Sequence, residues 1–177
     1  MDLVDAAFRF AARKHLGQVR DGEAALPYIF HPADVVMKLR RIGGITNEVQ
    51  LAAAALHDVI EECGVKKGEL RKRFGEEVTA LVLELTRTEP SAAEIADLDK
   101  DQIWQLRSIM LLHDIQTKMS PAAWEIKLAD RLSNIEEAKL TRSGNKLTRY
   151  INQTEQILAI IPESVNPNLW NAIKQQL

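Results

Sequence analysis

The sequence predicts an all-α fold in a single domain, and three observations predict it. Apolar residues recur at three- and four-residue spacing through most of the chain, the period of a helix with one buried face. Eight glycines and six prolines among 177 residues fall at breaks between these runs rather than inside them. No segment shows the strict alternation of a half-buried strand. A chain of this length suits one core.

About eight helices account for the pattern. The first covers residues 2–16, with Val4, Ala7, Phe8, Ala11 and Ala12 on one face. Residues 17–30 form a loop. Pro32, which fits the first turn of a helix, opens the second, which runs to residue 42 and stops at Gly43-Gly44. Thr46 or Asn47 caps a third helix that continues through His57-Asp58 to residue 62. Residues 66–74 and 76–86 read as two short helices parted by Gly75. Ser91 and Glu94 make a capping-box pattern that opens a helical region reaching residue 116, with a break near 97–101. Ser120-Pro121 is a cap followed by a first-turn proline, and the helix it starts runs through Asp130 to residue 140. A turn at 141–145, a helix over 147–161 and a short helix opened by Asn166-Pro167 complete the chain.

Bulk properties narrow the function classes. A net charge of −2 gives no basic surface for nucleic acid or an anionic membrane. One cysteine, Cys63, excludes an internal disulfide framework and suits a reducing compartment. The first fifteen residues lack the apolar core of a signal peptide, and no apolar run reaches the roughly 18–20 residues of a membrane span. The expectation is a cytoplasmic protein whose oligomeric state is open.

The chemistry-bearing residues are His31, the pair His57-Asp58, and Asp130. The pair sits in the most apolar stretch, LAAAALHDVI, where an uncompensated carboxylate is costly. A cation is the simplest compensation. Glu61 and Glu62 lie one turn further on the same helix faces. A second doublet, His113-Asp114, ends a polar helix with no acidic follow-up and reads as surface or cap chemistry. Taken singly, His31 is also readable as a cap or core residue, and Asp130 as the partner of a buried cation. Together, two imidazoles and two carboxylates make a mixed N/O set that suits Mn²⁺ or Fe²⁺ better than the thiolate sets of structural zinc. Tyr28 reads as a packing residue that sets the His31 loop. Trp104, Trp124 and Trp170 read as core or interface.

The segments RKHLGQVRDG (13–22), PYIFHPADVV (27–36), AALHDVIEE (54–62), FGEEVTALV (74–82) and IKLADRLSNI (126–135) resemble, in order, the hydrolase domain of RelA/SpoT proteins. With no synthetase or regulatory region in the sequence, the chain is most similar to the stand-alone small alarmone hydrolases. The resemblance implies an HD-superfamily helical domain and Mn²⁺ as cofactor, with Fe²⁺ or Co²⁺ not distinguished by ligand type. It implies removal of the 3′-pyrophosphate from (p)ppGpp. His31, His57, Asp58 and Asp130 fall on the family's metal ligands, Glu61 and Glu62 on its acidic pair, and Arg20 and Asn134 on nucleotide contacts. Lys146 and Tyr150, one turn apart, are candidates for phosphate and ribose.

The chain departs from the family at three of these places. The acidic pair, usually Glu-Asp, is Glu-Glu. Asp21 stands where a basic residue is common, and Ser133 where a larger side chain is common. Two other readings therefore stand beside the first: a phosphatase on NADPH or another 2′- or 3′-phosphorylated nucleotide, and an inactive nucleotide sensor or scaffold.

Overall fold

The computed structural model describes residues 2–20 and 26–177. Among them the regular structure is helical, and the pairing of Val19 with Pro27 is an isolated bridge rather than a strand. The α-helices are α1 (Leu3–Lys14), α2 (Phe30–Arg41), α3 (Glu48–Leu56), α4 (Val59–Cys63), α5 (Lys67–Leu85), α6 (Ala92–Ile95), α7 (Lys100–Thr117), α8 (Pro121–Thr141), α9 (Gly144–Ile160) and α10 (Pro167–Lys174). A 3₁₀ turn, Glu163–Val165, precedes the last. Eight of the ten α-helices have eight or more residues, and α4 and α6 are single-turn additions.

Caps fix most of the boundaries. Asn47 accepts from the Val49 and Gln50 amides, Ser120 from Ala123, and Asn166 from Leu169. Ser91 with Glu94, and Asp99 with Gln102, make reciprocal capping boxes, so the expected break near residue 100 is a restart. Gly75, at φ 83°, parts α5 into the two expected pieces, a backbone state that other residues adopt only with strain. Two expectations are corrected. On α1 the buried face is Ala7, Phe10 and Ala11, while Ala12 is exposed. The third helix does not continue to residue 62. It stops at Leu56, and α4 begins at Val59 after Asp58 relaxes to φ −96°, ψ −6°. Apolar periodicity alone does not reveal that break, because Val59 is buried like the alanines before it.

Helix α3 is the centre of one half. Ala52, Ala53, Ala54 and Ala55 are fully buried, and their small side chains let α1, α2, α5 and α8 pack around the helix. Helix α8 is the centre of the other half, packing on α2, α3, α5, α9 and α10. Ile126, Leu128, Ala129, Leu132 and Ile135 supply its apolar faces, each at most 1% exposed. The end of the chain is tied back to α2. Asn166 donates to the Gly43 carbonyl and to Glu125, and a Cβ at Gly43 would meet Leu169 at 2.9 Å. No helix among the described residues is long and apolar enough to cross a membrane.

Candidate active site

Three parts of the chain bring the four ligand-type side chains together: the first turn of α2, the turn between α3 and α4, and the middle of α8. The Nε2 atoms of His31 and His57 face each other at 3.2 Å. His31 Nε2 lies 3.3 Å from Asp130 Oδ1 and 3.5 Å from Asp58 Oδ2. His57 Nε2 lies 3.2 Å from Asp58 Oδ1 and 3.7 Å from Asp130 Oδ1. Both imidazoles and Asp130 are buried.

The outer nitrogens fix the rings. His57 Nδ1 donates to the Ala54 carbonyl at 2.8 Å, so its Nε2 lone pair points inward when the ring is neutral. His31 Nδ1 meets Ser133 Oγ at 3.1 Å. Two inward nitrogen lone pairs beside two carboxylates repel one another unless positive charge lies among them. Burial opposes protonation of His57, but Asp58 and Asp130 outweigh it and push its pKa up to about 9. Burial holds His31 below its usual value. Asp58 and Asp130 are held below the usual carboxylate range: burial works the other way, and His57 for Asp58 and Lys127 for Asp130 outweigh it. Two nitrogen and two oxygen donors with rings oriented by outer hydrogen bonds fit a divalent cation of borderline hardness.

A second ring of residues holds the first. Tyr28 donates its hydroxyl to Asp58 Oδ2 at 2.7 Å and stacks on buried His15 at 4.6 Å, so it does more than pack. Lys127 donates to Asp130 Oδ2 at 2.8 Å, and Asn134 donates to Asp130 Oδ1. Tyr28, Lys127 and Ser133 carry no signal by type. For Lys127 the signal is position, since 127, 130 and 134 share one face of α8.

These groups open on a cavity of about 660 Å³. Glu61, Glu62, Arg20, Asn134 and Tyr150 line it. Glu61 is occupied elsewhere, accepting from the Arg87 amide and Nε, each at 2.7 Å. Glu62 is exposed to the cavity with no side-chain hydrogen bond among the described residues, and burial, Asp58 and Glu61 raise its pKa. Arg20 forks onto Glu137, donates to Asn134 Oδ1 at 2.9 Å, and lies over the Tyr28 ring. Lys146 is a correction: exposed on α9, it is not among the lining residues, while Tyr150 one turn later is. Trp104 is a second correction, because it lies on the cavity wall, whereas Trp124 and Trp170 donate to backbone carbonyls in the packed layers. Asp21 lies outside the described residues.

The other doublet is apart from the site. His113 is exposed, and Asp114, 2% exposed, accepts from the Thr88 amide and hydroxyl and from Lys118. It anchors the segment after α5.

Comparison with known proteins gives the family. The HD domain family model matches residues 7–161. Human guanosine-3′,5′-bis(diphosphate) 3′-pyrophosphohydrolase MESH1 is 32% identical over 97% of this chain and 90% of its own length. The Aquifex aeolicus enzyme named guanosine-3′,5′-bis(diphosphate) 3′-pyrophosphohydrolase is 30% identical over 98% of this chain but only 23% of its own length. The solved structure of a metazoan SpoT orthologue that hydrolyses ppGpp superposes with a TM-score of 0.81 at 26% identity, covering 99% of this chain and 94% of that one. With the match spanning nearly every helix and a near-full-length relative at this identity, the chain belongs to the HD domain family, among the relatives of the MESH1 pyrophosphohydrolases.

Proposed function

We propose that the chain is a divalent-metal-dependent hydrolase that removes the 3′-pyrophosphate of guanosine 3′,5′-bis(diphosphate). The observation that carries this reading is the convergence of His31, His57, Asp58 and Asp130, with the rings fixed by Ala54 and Ser133, at one side of a cavity large enough for a nucleotide. The names of the full-length relatives support the substrate.

These four side chains would hold the cation, and Mn²⁺ suits their mixed donors. A bound divalent ion supplies charge neutralisation on phosphoryl oxygen and a lowered pKa for water. Hydrolysis places the water oxygen on the 3′-phosphorus and breaks its bond to the ribose 3′-oxygen, which leaves with a proton as a hydroxyl. Glu62 is the carboxylate disposed to take the water proton, because it faces the cavity unpaired and its raised pKa suits a proton carrier. Relative to the family's Asp, its extra methylene moves the carboxylate by about one bond length, which tunes rate rather than chemistry. Glu61 shapes the wall through Arg87. Tyr28 and Lys127 hold the carboxylates in place, and Asn134 and Arg20 face the nucleotide from α8 and the loop before α2.

Product analysis tests the reading. With Mn²⁺, ppGpp is expected to yield GDP and pyrophosphate, with no turnover in chelator. Orthophosphate from NADPH without pyrophosphate from ppGpp would replace this substrate with the other one. Release from neither would make the chain a binding protein.

A further inference from the structure

The cavity has two electrical poles. Its lining carries six cations: Arg20, Arg87, Arg107, Lys127, Arg131 and Arg142. Four are answered by carboxylates, Arg20 by Glu137, Arg87 by Glu61, Arg107 by Glu89 and Lys127 by Asp130. Arg131 and Arg142 make no ion pair among the described residues. Both lie against one ring, with guanidinium carbons 4.5 Å and 4.8 Å from the centre of Tyr150.

Arg131 is the sharper anomaly. It is 3% exposed, and only Nη2 is satisfied, by Gln153 Oε1 at 2.9 Å. Its Nε and Nη1 have no acceptor among the described residues. Gln153 in turn donates its Nε2 to Ser108 Oγ at 2.8 Å, which fixes the amide with Oε1 towards Nη2 and away from the other two donors. A buried guanidinium without a counter-charge is unfavourable, and buried donors are nearly always paired. The compensation that this wall lacks is an anion. The other pole, made of Asp58, Asp130 and Glu62, repels one unless a cation is bound. Successive residues on a helix diverge by about 100°, so Asp130 and Arg131 direct the two poles to different parts of one cavity.

We propose that the wall formed by Arg131, Arg142 and Tyr150 is a second anion site, which takes the phosphoryl group on the 5′ position of the nucleotide while its 3′ group faces the four ligand side chains. This rests on the activity proposed above and goes beyond it: the enzyme would select nucleotides charged at both ends, and its nucleoside 5′-diphosphate product would stay bound as an inhibitor. Planar guanidinium groups suit phosphate because they donate two parallel hydrogen bonds. Free pyrophosphate presents the same chemistry, so the test includes it.

The experiment is calorimetric titration in chelator, where neither metal nor turnover enters and failure of the hydrolase reading leaves the result readable. GDP is expected to bind at least about tenfold more tightly than guanosine, a gap of roughly 1.4 kcal/mol, and more tightly than pyrophosphate alone. Arg142→Gln, at an exposed position of that wall away from the four ligand side chains, should remove most of that gap, while Arg142→Lys keeps part of it. Raising salt should shrink the gap in the unaltered protein, a readout that stands even if a variant folds poorly. Equal binding of GDP and guanosine, a gap that survives Arg142→Gln, or pyrophosphate binding as tightly as GDP would each overturn the assignment.

Discussion

At the scale of single residues, the site separates two glutamates that adjacency makes look alike. Glu61 is bound by Arg87 through backbone and side chain, and Glu62 faces the cavity alone. Glu62→Gln is therefore expected to lower kcat by about 10²–10⁴-fold, the usual worth of a positioned proton acceptor, with KM little changed. Glu61→Gln should cost far less in kcat and act through the Arg87 segment. The reverse ranking in steady-state kinetics would exchange their roles. The four ligand-type residues were legible in the sequence because imidazole and carboxylate stand out in apolar surroundings. Tyr28, Lys127 and Ser133 were not, because phenol, ammonium and hydroxyl are common on helices and loops, and only folding shows which of them meets His31, Asp58 or Asp130. Lys146 shows the opposite case, a residue of the right chemistry that lies exposed one turn before Tyr150 and is not among the cavity lining.

At the scale of elements, capping chemistry made most helix starts readable, since Ser91, Ser120 and Asn166 carry the side-chain acceptors that a first turn needs. The stop at Leu56 was not readable. The turn there serves His57 and Asp58, whose partners come from α2 and α8, and local sequence does not encode a tertiary demand of that kind. The segment after α5 is likewise held from a distance, by Asp114. Burial works against ionisation of this carboxyl, but Lys118 and Thr88 outweigh it and lower its pKa below the ordinary value of 3.8. The unfolded chain therefore takes up this proton more readily than the folded one. The stabilisation is complete above the unfolded value and is lost as pH falls through the lower folded value. Asp114→Asn should destabilise by about 1–3 kcal/mol at neutral pH. The difference from the unaltered protein should narrow below pH 4 in denaturant titrations, and a deficit that stays constant into acid would remove the charge from the explanation.

At the scale of the whole molecule, the ligand side chains come from α2, the α3–α4 turn and α8, so a cation bound there ties three packed layers to one point. Adding Mn²⁺ to chelator-treated protein should raise Tm by several degrees, since saturation at 100 times Kd stabilises by about 2.7 kcal/mol. Asp58→Ala should abolish the shift and turnover together, and His113→Ala should leave both intact. A shift that persists in Asp58→Ala would place the binding elsewhere. The tie between Asn166 and the Gly43 carbonyl extends this mechanical view to the end of the chain. Helix α10 touches none of the chemistry, yet it braces the end of α2 opposite the turn that carries His31 and also rests on α8. Losing the final dozen residues would free one end of a lever whose other end holds an imidazole, so damage far from the cavity would be felt first as looser metal retention.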